Sequence, residues 1–153
     1  MERVEFPNPR ARPAALMAVV ADAASQLALS CGLAPERVAL GGRSMGGRVC
    51  SMAVADGLGA LGLVLVSYPL HPPGRPERAR TAHFPELRVP CVFVSGTRDA
   101  FAAPAELQQA TGAIPGPVTH VWIEGGDHGL RARDRQVAEA VARWLTAATG
   151  PQG

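Results

Sequence analysis

Residues 38–50 read Val38-Ala39-Leu40-Gly41-Gly42-Arg43-Ser44-Met45-Gly46-Gly47-Arg48-Val49-Cys50. The run from Arg37 to Gly41 is short and apolar, with Pro35 upstream and glycines downstream, and has the character of a buried strand. Gly42 to Gly47 reads as a tight turn. From Met45 to about Asp56 small residues predominate, and Gly57 ends what reads as a helix. Strand, turn and helix therefore follow one another within about 20 residues, and the rest of the chain repeats that alternation.

Upstream, Val4 to Phe6 reads as the end of a strand, stopped by Pro7 and Pro9. Pro13 suits the first turn of a helix. Leu16, Val20, Ala23, Leu27 and Cys31 follow at helical steps, and Gly32 is the expected residue just past its end. Downstream, Leu61 to Ser67 is continuously apolar, as expected for a parallel strand buried on both faces. The stretch from Tyr68 to Arg88 carries five prolines and reads as a long loop, of the kind that lines or covers a site. Val89 to Ser95 is a strand, Pro104 to Thr111 a helix, and Val118 to Glu124 a strand. A final helix is marked by Val137, Val141, Trp144, Leu145 and Ala148. The order predicts an α/β fold with about five parallel strands and helices on both faces. No linker or repeat divides residues 1–153, which read as one domain.

Composition narrows the function classes. The chain has 153 residues, 47% hydrophobic and 18% charged, with a net charge of +2. All 15 basic residues are arginine. They cluster only mildly, at Arg75, Arg78 and Arg80 and at Arg131, Arg133 and Arg135, and these read as solvated faces, not as a nucleic-acid surface. No membrane partner is expected, because no apolar run of about 18 residues goes unbroken. Cys31, Cys50 and Cys91 form no CxxC pair and read as small buried thiols. The N-terminus has no apolar core of a signal peptide, so a cytoplasmic location is expected. His71, His83 and His120 are scattered, and no metal or other cofactor is expected.

Gly42-Arg43-Ser44-Met45-Gly46 is a G-x-S-x-G motif between a strand and a helix, the context of a nucleophile elbow. Such a turn lifts the serine above the sheet and calls for glycine on both sides, where side chains would collide. Asp99 and His128 lie just past later strands, so all three residues fall at one edge of the sheet. Their chain order, Ser then Asp then His, is that of α/β-hydrolases. Ser44 is the candidate nucleophile, His128 the general base and acid, and Asp99 the residue that holds the imidazole. The Met45 N–H is a candidate oxyanion donor. Tyr68 and His71, in the proline-rich loop, are candidate substrate contacts. A phosphate-binding turn is the weaker reading of the motif, because no Lys follows it.

Four segments carry a resemblance that covers nearly the whole chain. They are Gly41 to Arg48, Tyr68 to Gly74, Val94 to Asp99 and Glu124 to His128. Together they resemble the small dienelactone-hydrolase-like group of α/β-hydrolases. That group includes the testis-expressed α/β-hydrolase-like protein and the hydrolase-like subunit of a histone acetyltransferase complex. The resemblance implies Ser44, Asp99 and His128 as a triad acting on a small-molecule acyl substrate. Dienelactone hydrolases proper use a Cys nucleophile, so Ser44 does not carry over their substrate.

The chain also departs from the pattern. An α/β-hydrolase core has about eight strands, and a second oxyanion donor comes from the loop after the third. Counted against it, residues 1–153 read as an N-terminally incomplete domain whose first strand starts late. Loss of one such donor costs on the order of 10²–10³ in turnover. The strand over residues 38–40 is expected to have one free edge, through which two copies could pair as a homodimer. The residues leave two functions open. One is a serine hydrolase cleaving a small ester, thioester or lactone. The other is a catalytically idle interaction module or a weakly active truncated fragment.

Overall fold

The structure is a computed structural model, and it describes residues 1–150. Four strands form one parallel sheet in the order β1-β2-β3-β4. They are β1 (Ala39–Arg43), β2 (Gly62–Val66), β3 (Cys91–Gly96) and β4 (Val118–Ile123). The helices are α1 (Pro13–Cys31), α2 (Met45–Ala55), α3 (Pro104–Thr111) and α4 (Asp134–Thr149). The alternation expected from the sequence is present, with four strands where about five were expected. Residues 4–6 form no strand, although Phe6 packs against the core. The 68–88 loop holds two short 3₁₀ turns, Pro76–Arg78 and Phe84–Glu86.

The central strands are apolar throughout because the sheet is covered on both faces. Side chains alternate with a period of two. Leu63, Leu65, Cys91 and Phe93 point to the side of α1, α2 and α3. Val64, Val66, Val92 and Val94 point to α4, where Val137, Ala140, Val141 and Trp144 meet them. Each fully buried side chain of this kind contributes about 1.5–3 kcal/mol.

Helix α1 departs from expectation twice. Its buried stripe is Leu16, Val20, Ala24 and Ala28, an i, i+4 row that lets α2 approach over small residues. The expected stripe veers off this row after Val20, so Cys31 is exposed, whereas Cys50 and Cys91 are buried as expected. Burial pushes their thiols up, to about 11 for Cys50 and about 12 for Cys91. The second departure is apolarity. An 18-residue window of the 19-residue α1 has a mean hydropathy of 1.6, so the helix is long and apolar enough to cross a membrane by length and composition. It ends on Gly32 in the left-handed conformation, φ 64°.

Candidate active site

The elbow is built by a steric lock between two glycines. A Cβ on Gly42 would lie 2.5 Å from the Gly46 carbonyl carbon and 2.6 Å from the Gly47 nitrogen. A Cβ on Gly47 would lie 2.6 Å from the Gly42 oxygen. The end of β1 and the first turn of α2 can pass this closely only without side chains. Gly46 is different, since a Cβ there would meet nothing within 4 Å. The steric demand expected at Gly46 therefore falls on Gly47.

Ser44 sits between strand and helix at φ 51° and ψ −119°. A non-glycine residue there stores strain of about 1–3 kcal/mol. Its own N–H donates to the Val66 carbonyl at 2.8 Å, which anchors the strained residue to the end of β2. Met45 opens α2, so its N–H has no partner within the helix and stands beside the serine.

Asp99 and His128 reach this point on loops after β3 and β4. Those loops nest closely, because a Cβ on Gly96 would lie 2.1 Å from the Gly126 oxygen. That oxygen accepts the Arg98 N–H at 2.9 Å. Thr97 Oγ1 accepts the Gly125 N–H at 2.8 Å. Arg43, within the elbow, donates to the Gly129 carbonyl at 2.8 Å and so ties the turn to the His128 loop.

The side chains converge. Ser44 Oγ lies 2.9 Å from His128 Nε2. His128 Nδ1 lies 3.0 and 2.9 Å from the two Asp99 carboxylate oxygens. Asp99 is buried, and its Oδ1 also accepts the Phe101 N–H at 2.8 Å. A carboxylate only accepts, so Nδ1 donates to it and Nε2 turns a lone pair to the serine hydroxyl. The Phe101 ring stacks on His128 with centroids 4.0 Å apart, which fixes the imidazole plane. The two other acids near His128 in the sequence lie elsewhere: Asp127 is exposed, and exposed Glu124 accepts the Thr97 hydroxyl.

A cavity of about 290 Å³ opens on Ser44, lined by Met45, Arg48, Pro69, Arg80 and Phe101. Tyr68 and His71 are not among its lining residues. Tyr68 is fully buried against Phe84 and Phe93, and its hydroxyl donates to the Arg80 carbonyl at 2.7 Å. Burial raises its pKa well above the usual tyrosine range. His71 is buried between the Pro72 carbonyl, 2.8 Å from Nδ1, and Glu106, 3.1 Å from Nε2. Sequence reasoning passed over Arg48 and Phe101, and it read Arg80 as part of a solvated face, whereas Arg80 lines the cavity. Arg48 could have been found, since it lies one helical turn past Ser44 and so on its face. Phe101 follows Asp99 by two residues. Arg80 carries no local signal.

His83 and Ser51 form a second serine–histidine contact, at 2.8 Å. It lacks the polarity of the first, because the Ser51 hydroxyl donates to the Arg48 carbonyl at 2.8 Å and the imidazole must donate to Ser51. Burial and Arg48 push His83 down to about 4. His120 is held by Thr111 at 2.9 Å and stacked on Phe93 and Trp122.

An α/β-hydrolase domain family matches residues 1–150. An α/β serine hydrolase homologue from Coxiella burnetii is similar at a TM-score of 0.68 and 17% identity, over 94% of this chain and 62% of that one. A Thermus thermophilus protein is similar at 0.72 and 17% identity, over 97% and 73%. A monoacylglycerol lipase from Paleococcus ferrophilus is similar at 0.73 and 12% identity, over 91% and 77%. At these identities the likeness is one of fold. The chain spans less than two thirds of the Coxiella protein, and a quarter of a puromycin hydrolase similar to it at 0.70 and 20% identity over 88% of this chain. With its elbow on the first strand and four parallel strands behind it, the chain belongs to the α/β-hydrolase domain family.

Proposed function

We propose that this protein is a serine hydrolase that cleaves a small ester, thioester or lactone through an acyl-enzyme. The observation that carries the reading is the continuous relay from Ser44 Oγ through His128 to buried Asp99, at 2.9 Å and 2.9–3.0 Å. Ser44 Oγ attacks the acyl carbon while Nε2 takes its proton. The charge that develops on the carbonyl oxygen faces the Met45 N–H at the positive end of α2. Collapse of the tetrahedral intermediate breaks the bond to the leaving group, which receives the proton from Nε2. Water then attacks the acyl-serine by the same route and releases the acid. Asp99 keeps the tautomer and stabilises the imidazolium.

Fluorophosphonate labelling and p-nitrophenyl ester hydrolysis test the reading. Wild type is expected to label on Ser44 and to hydrolyse the ester. Ser44→Ala is expected to lose the label and at least about 10³-fold in rate with its fold intact. Equal activity in both proteins would refute the assignment, and an unlabelled wild type would point to an interaction module built on the same turn.

A further inference from the structure

Arg48 and Arg80 line the cavity on which Ser44 opens. They come from different elements, α2 and the loop after β2. Among the described residues, no carboxylate lies within 4.0 Å of either guanidinium. Arg48 Nε is buried with no hydrogen-bond partner. The backbones of both arginines are anchored by fully buried hydroxyls. Tyr68 donates to the Arg80 carbonyl at 2.7 Å, and Ser51 to the Arg48 carbonyl at 2.8 Å. The Arg80 N–H is fixed as well, to Leu70 at 2.7 Å.

Partial burial, and then Arg48, lower the pKa of Arg80 from its usual value. His83 stays neutral near pH 7, so it adds no charge to the pair. Two like charges lining one cavity are unfavourable until an anion joins them. A guanidinium also presents a planar fork of donors that matches a carboxylate.

We propose that the substrate carries a carboxylate which seats between Arg48 and Arg80 while its acyl carbon lies at Ser44. This rests on the reading of Ser44 as the nucleophile. The cavity, about 290 Å³, suits a short chain, such as the half-ester of a small dicarboxylic acid.

The test compares 4-nitrophenyl hydrogen glutarate with its neutral methyl ester, which differ in charge and little in length. Wild type is expected to favour the anionic ester in kcat/KM by about tenfold to a hundredfold. Arg80→Gln should reduce that ratio about tenfold, and Arg48→Lys should keep more of it than Arg48→Gln. A ratio near one in wild type, or a ratio unchanged in Arg80→Gln, would overturn the proposal. A second measurement does not depend on turnover: calorimetric titration of glutarate into Ser44→Ala, with and without Arg80→Gln. Glutarate binding that is lost with Arg80 supports the site even if no ester is cleaved and the nucleophile reading fails. No binding, or tighter binding of inorganic phosphate than of glutarate, would overturn the carboxylate assignment.

Discussion

Gly46 and Gly47 are adjacent in the sequence, yet only Gly47 meets backbone when given a Cβ. Gly47→Ala should therefore force the Gly42 oxygen away and destabilise the fold by about 1–3 kcal/mol. Gly46→Ala should leave the melting temperature unchanged or raise it, since alanine is the better helix former by about 0.5–1 kcal/mol. Thermal melts of the two variants check this, and equal losses would contradict the steric lock. The same scale separates Ser44 from Ser51. Both touch a histidine, but only Ser44 points its proton at the imidazole, whereas Ser51 gives its proton to a carbonyl. The motif made Ser44 legible in the sequence. The idle Ser51–His83 pair was not, because it depends on two segments 32 residues apart.

Among the elements, the loop after β2 is tied to α3 by His71 and Glu106. The histidine faces an acceptor on each nitrogen, so the clamp is complete only with a doubly protonated ring. Hydrogen bonds to Pro72 and to Glu106 raise the pKa of His71 from 6.5. The bonds to His71 and to the Ala103 N–H lower that of Glu106 from 4.5. A raised histidine contributes stability that is complete below 6.5 and is lost as pH rises through its folded value. A lowered glutamate contributes stability that is present above 4.5 and is lost as pH falls through its folded value. The clamp is thus strongest between about pH 4.5 and 6.5. Hydrogen exchange in residues 68–80 should be slowest in that window and should speed up as pH rises, after correction for intrinsic rates. Glu106→Gln should flatten the dependence, and an identical profile in the variant would show that the clamp does not hold the loop. The sequence placed His71 in a loop with a site, but not the partner that turned it away from the cavity.

For the whole molecule, a four-stranded sheet carries two core layers, and Phe93 is the hub of the larger one. It is fully buried against Tyr68, Phe84 and His120. Phe93→Ala should cost about 3–5 kcal/mol, a large share of the 5–15 kcal/mol that holds most domains folded. Urea titration should show a lower midpoint at similar slope, and a loss under 1 kcal/mol would mean that the layer is loosely packed. At the sheet's side, β1 pairs only with β2 among the described residues. The sequence-based expectation that two copies pair along this edge has a direct test. Sedimentation should give twice the 15.9 kDa chain mass, and a monomer would end the idea.

The sequence by itself determined the alternating elements, the elbow, and the convergence of Ser44, Asp99 and His128. Those follow from local rules: apolar runs, glycine at crowded turns, and loops that leave parallel strands at the same edge. Only the tertiary structure decided which α1 residues are buried, which glycine beside Ser44 is sterically required, and that Arg80 and Phe101 line the cavity at Ser44. The buried face of α1 and the place of Arg80 depend on how closely distant segments approach, and the demand on Gly47 depends on the path of the turn from Gly42. The path of the proline-rich loop is set by bonds of Tyr68 and Leu70 to Arg80 within the loop and of His71 to Phe101 and Glu106 beyond it, and no local pattern encodes it.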